Sequence, residues 1–131
     1  MKMRCEMKFK TLMIIKAVVC ASLGAFILIA PETLYSIFGV SLNLGGMIAA
    51  REYGAALIGN LMLTWIARNA TESVARRAII VDLCIYDAIG FVVFLAYQLT
   101  GALNPLGWLV VALYLFLAVA YGYFWVKSPN P

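Results

Sequence analysis

The chain has 131 residues, of which 65% are hydrophobic and 12% charged, with a mean hydropathy of +0.96. Soluble domains are closer to half apolar and a quarter charged, and disordered chains lie further still on the polar side, so both classes are excluded. Histidine is absent, which removes histidine-ligated cofactors, the usual zinc sites and any Ser/His or Cys/His nucleophile pair. The composition is that of a small polytopic membrane protein.

The ten Lys and Arg against six Asp and Glu give a net charge of +4. Their placement argues for orientation in a membrane and against nucleic acid. Lys2, Arg4, Lys8 and Lys10 precede the first apolar run, Arg68, Arg76 and Arg77 separate the second from the third, and Lys127 follows the last. Cytoplasmic loops collect cations in this way.

Four apolar runs are expected to be membrane helices: Leu12–Ala30, Met47–Ala67, Ala78–Leu99 and Trp108–Val126. Each is long enough to cross a hydrocarbon core of roughly 30 Å. Short connections predict antiparallel neighbours in an all-α four-helix bundle. The charge pattern puts both termini in the cytoplasm and loops 31–46 and 100–107 outside. The first run, longer than a secretory signal core and lacking a small-residue cleavage pair, is expected to be an uncleaved signal anchor.

Between the first two runs, Pro31-Glu32-Thr33 has the proline and first-turn acid of a helix start, and Gly39 is a stop signal. A short amphipathic helix at the outer interface is expected there, followed by a turn at Gly45-Gly46. Thr71-Glu72 or Ser73 should cap the third run, and Asn104-Pro105-Leu106-Gly107 is a turn before the fourth. The Asn69-Ala70-Thr71 sequon faces the cytoplasm in this topology and is unused.

Ionisable groups inside a membrane are costly, and here they can be taken singly. Lys16 and Asp82 each lie about one turn inside a run that starts on the cytoplasmic side, so they could pair. The simpler expectation is that Lys16 snorkels to the inner headgroups. Asp87 lies roughly 13 Å into the third run, and Asn60 lies at similar depth on the second. Their contact would be interhelical glue, or Asp87, beside Tyr86 and Gly90, would carry a proton or hold a cation. Asp82 and Asp87 are about 140° apart on one helix, which does not suit a catalytic dyad. Arg51 and Glu52 point about 100° apart. Arg51 suits a loop carbonyl, a lipid phosphate or Glu32, with an anionic or amphiphilic ligand as the alternative.

Ala50/Gly54 and Ala55/Gly59 are small-xxx-small pairs that let helix backbones approach, in the same chain or another. Trp108 and Trp125 suit the two interfacial belts. Tyr114 and Tyr121, seven apart, share a face on which aromatic packing is expected. Cys5, Cys20 and Cys84 form no CxxC motif; Cys20 and Cys84 lie at comparable depth but are expected to be apolar fillers. Neither a metal-ligand cluster nor a phosphate-binding glycine loop is present, and no cofactor is expected.

Taken together, Pro31-x-x-Leu34-x-x-x-Phe38-Gly39, Arg51-Glu52-Tyr53-Gly54-Ala55-Ala56-Leu57-x-Gly59, Ala67-Arg68 and Gly107-Trp108 resemble the small four-helix prokaryotic membrane proteins of the DoxX-like type. A fainter similarity in the second run is to the membrane scaffold of the eukaryotic ergosterol pathway. The resemblance implies a four-helix bundle in a prokaryotic cytoplasmic membrane, often with an accessory role. Its quinone-coupled sulfur chemistry does not carry over without a redox cysteine pair. The expected function is that of a non-catalytic accessory or scaffold subunit, with membrane lipids and a homo-oligomer or other membrane subunits as partners. The alternative is a small binding or transport protein for a lipid-like, quinone-like or ionic ligand, using Asp87, Asn60, Arg51, Glu52, Asp82, Lys16 and Tyr86.

Overall fold

A computed structural model describes residues 8–128. Lys2, Arg4 and Cys5 lie outside the described residues. Among the described residues the fold is all-α, with five helices: α1 Phe9–Ile29, α2 Pro31–Ile37, α3 Leu44–Ala67, α4 Val74–Leu99 and α5 Gly107–Lys127. The four apolar runs are thus four helices, each beginning one to four residues earlier than expected.

Three helices, α1, α4 and α5, are long and apolar enough to cross a membrane. α3 has the length, at 24 residues, but Arg51, Glu52 and Asn60 dilute its apolarity and it is not among them. The helix surfaces agree with a lipid setting. Ile29, Ile66, Leu109 and Val126 are each at least about two-thirds exposed, where a soluble protein would hide such side chains.

The caps explain the boundaries. The Asn43 side chain accepts the Gly46 amide at 2.7 Å, so α3 starts at Leu44. Gly45-Gly46 is therefore the first turn of a helix and not a loop. A side-chain cap satisfies one of the amides left open at a helix start, and that offsets part of the poor helix propensity of two glycines. Ser73 caps α4 by accepting the Arg76 amide at 3.1 Å. α2 stops where Gly39 adopts φ +80°, with the Val40 amide returning to the Tyr35 carbonyl at 3.0 Å. Gly101, at φ +82°, ends α4 in the same way; only glycine takes up this conformation without strain.

The chain divides into two compact units. In the first, α1 and α3 pack antiparallel, and glycines make the crossing close. A β-carbon on Gly24 would lie 3.3 Å from the Gly54 carbonyl oxygen, and one on Gly54 would lie 3.2 Å from that of Gly24. The Ala50/Gly54 pair therefore serves a helix of the same chain. Gly59 has nothing within 4 Å, so the Ala55/Gly59 pair is not used there. Thr64, fully buried, turns its hydroxyl onto the Asn60 carbonyl at 2.7 Å, which keeps a polar group satisfied within its own helix.

In the second unit α4 packs antiparallel on α5. Gly90 admits the ring of Tyr114, which also stacks at a tilt on Phe94 with ring centres 5.6 Å apart. Cys84 directs its thiol to the Ala118 carbonyl, 3.6 Å away, and the Arg77 guanidinium donates to the Ser128 carbonyl at 3.0 Å.

Candidate functional site

Three pairings, Arg77 with Ser128, Cys84 with Ala118 and Gly90 with Tyr114, set one antiparallel register along the α4·α5 seam. In that register Asp87 falls opposite Leu117, with Tyr114 and Tyr121 one turn to either side on α5. Asp87 and Tyr121 are fully buried, and Tyr114 and Leu117 are buried with them. The Tyr86 hydroxyl is also out of contact with solvent. The seam thus gathers a carboxyl, two buried phenols and the Cys84 thiol among apolar side chains. A carboxyl buried among apolar side chains is tolerated only where polar groups around it satisfy it, which makes Asp87 the polar centre of this seam.

Asp82, five residues earlier on α4, is exposed. One carboxyl therefore lies in the core and the other outside it, as their helical offset requires.

The remaining expected site residues lie in the first unit. Lys16 is 2% exposed, on the buried stripe of α1 with Leu12, Met13, Ala17, Cys20 and Gly24. This corrects the snorkelling expectation: a snorkelling lysine lies along an open surface, whereas this one sits on the face that α1 buries. Arg51 donates from Nε to the Leu28 carbonyl at 3.3 Å. Its partner is the last turn of α1, a site that favours a cation because the final carbonyls lack helical amides. Of the three roles open to Arg51, this is closest to a carbonyl contact, with the carbonyl belonging to a helix end and not a loop. Glu52 is exposed on the same turn, and Asn60 is half-buried. Asn60 and Asp87 belong to different units, as do Lys16 and Asp82. Neither Cys20 nor Cys84 is in a disulfide.

One centre is not apparent from sequence patterning. Asn104, in the loop before α5, donates from Nδ2 to the Ile37 carbonyl at 2.8 Å and accepts the Leu106 amide on Oδ1 at 3.1 Å. Its own amide reaches the Phe38 carbonyl, and its carbonyl takes the Gly107 amide and the Gln98 side chain. Asn-Pro-Leu-Gly is a turn signal, and nothing in that signal says that the asparagine also holds the end of α2, 67 residues away. Burial beside this junction pushes the Tyr35 phenol above its ordinary value, so it stays neutral throughout the physiological range. Replacing Asn104 with alanine should cost about 1–2 kcal/mol for two lost hydrogen bonds. Amide exchange should rise at Leu106 and over residues 38–41, and Asn104→Asp should protect Leu106 while still releasing Ile37.

Among the described residues no group of three His, Cys, Asp or Glu side chains could hold a metal ion. No family model, no curated protein and no solved structure matches the chain.

Proposed function

We propose that this chain is a four-span integral membrane protein acting as a non-catalytic accessory or scaffold subunit. In this reading α1, α3, α4 and α5 cross the bilayer, the Lys- and Arg-rich ends face the cytoplasm, and α2 lies at the outer interface. The DoxX-like resemblance favours a prokaryotic cytoplasmic membrane.

One observation carries the accessory role. α3 has two small-residue pairs, and only Ala50/Gly54 is spent on α1. Gly59 lies in open space, with Ala55 and Ala56 exposed beside it. A glycine in mid-helix costs about 1 kcal/mol relative to alanine, and in membranes the return on that cost is close approach by another helix.

The test is native gel migration of the complex from its own membrane, comparing wild type with Gly59→Leu. The wild-type chain should run in a larger particle, and the variant should fall to a smaller one with its helix content unchanged. An assembled band indifferent to leucine at position 59 contradicts the proposed face.

A second reading, a binding or transport protein for a lipid-like, quinone-like or ionic ligand, is favoured by the complete burial of Asp87 on an apolar helix. It requires Asp87→Asn to abolish proton or cation flux in vesicles, and unchanged flux would dismiss it.

A further inference from the structure

The start of α4 and the end of α5 enclose an open groove of about 380 Å³ lined by Arg77, Trp125, Val126 and Ser128. That volume is within the range of small-molecule sites. We propose that this groove binds the headgroup phosphate of an anionic phospholipid, with Arg77 as the phosphate ligand and Trp125 and Val126 as the apolar wall beneath it. The proposal rests on α4 and α5 being membrane spans, which their length and apolarity support.

Charge is the first argument. Arg76 and Arg77 are adjacent but differently engaged. Arg76 is paired with Glu72, whereas no carboxylate among the described residues pairs with Arg77, whose hydrogen bond runs to the Ser128 carbonyl at 3.0 Å. That bond occupies one nitrogen and anchors the guanidinium, leaving further N–H groups of the fork to serve an anion. Lys127, next to the groove, lies over the Tyr123 ring and adds to the positive field.

Position is the second argument. Arg77 is in the first turn of one apolar helix, and Trp125 is in the last turn of its antiparallel neighbour. The groove therefore opens where the spans end, at the level of the headgroups, where an indole is most at home. Val126 is 87% exposed beside it, an apolar surface suited to the glycerol and first methylenes of a lipid. A free anion would use Arg77 alone and leave that wall bare.

The experiment uses the full chain with Trp65 and Trp108 changed to phenylalanine, so that Trp125 is the sole emitter. It is reconstituted into phosphatidylcholine vesicles containing a minor fraction of either brominated phosphatidylglycerol or brominated phosphatidylcholine. Brominated phosphatidylglycerol should quench Trp125 at about one-fifth the lipid fraction needed by brominated phosphatidylcholine, the preference one arginine confers near anionic lipid. Arg77→Gln should abolish that preference, and Arg76→Gln, with the same loss of charge, should keep it. Equal quenching by the two lipids overturns the proposal, and because that comparison retains Arg77 it stands even if the Arg77 variant fails to fold. Equal loss in the Arg76 and Arg77 variants also overturns it, by reducing the effect to diffuse surface attraction. Relief of quenching by added inorganic phosphate would make the groove a free-anion site and not a lipid site. Failure of the chain to enter vesicles at all would instead refute the span assignment.

Discussion

Gly90→Leu is expected to disrupt the α4·α5 seam more than any other single change in that unit. A β-carbon at position 90 would lie 2.7 Å from Tyr114 Cδ1 and 2.8 Å from Cζ, and closer still to Cε1. The obstacle is the middle of a buried aromatic ring, itself held against Phe94, so it cannot move aside as the tip of a flexible chain would. Even alanine should destabilise, although in an open helix it would gain about 1 kcal/mol over glycine. Overpacking a close-packed seam costs about 1–3 kcal/mol, and leucine should reach or exceed the top of that range. The check is the midpoint of detergent-induced unfolding followed by helix content. Tyr114→Ala alone should also destabilise, by leaving a cavity. The Gly90→Leu/Tyr114→Ala double variant should be more stable than the sum of the two losses allows, since the new side chain fills the vacated space. Strict additivity would mean that Tyr114 does not cover Gly90.

Gly54→Leu should do comparable damage in the first unit. At Gly54 a β-carbon would lie 3.0 Å from Leu28 Cγ, 3.2 Å from Ile27 Cγ2 and 3.2 Å from the Gly24 carbonyl oxygen. Backbone is the neighbour that cannot yield, so a larger side chain must drive α1 and α3 apart. Separation would also break the Arg51 contact to Leu28 one turn away. The expected loss is about 2 kcal/mol or more. Gly59→Leu, five residues along the same helix but facing open space, should change the isolated chain's midpoint by no more than about 0.5 kcal/mol. Equal losses at the two glycines would refute the assignment of Gly54 to the intrachain crossing and of Gly59 to an outward face.

Hydrophobic length made the four long helices legible, because runs of about twenty mostly apolar residues leave little room for another reading. Pro31, Gly39 and Ser73 were legible for a local reason: proline at a helix start, glycine at a left-handed stop and serine at a cap each satisfy a backbone requirement within a few residues. Glycine propensity alone suggests a loop at 45–46, whereas the deciding group is Asn43, which caps α3.

The candidate site was legible only in its cast. Asp87, Tyr86 and the α5 tyrosines stand out as polar groups in apolar runs. Pattern gives the depth of a residue but not its surroundings, so it points Lys16 to an open surface, whereas the residue lies on a buried stripe. The Asn104 junction depends on a contact spanning 67 positions, and no local periodicity encodes it. By charge count Arg77 is one more basic residue between two apolar runs. What distinguishes it from Arg76 is which of the two meets Glu72, a matter of rotamer and helix phase that a charge count does not contain.

The most direct test of the accessory-subunit proposal is native mass spectrometry of the particle released from its own membrane in mild detergent. The chain contributes 14.4 kDa. The expected result is a heavier complex containing a second polypeptide in fixed proportion, lost in Gly59→Leu. A bare monomer retained across several mild detergents, with the wild-type sequence and full helix content, would contradict it.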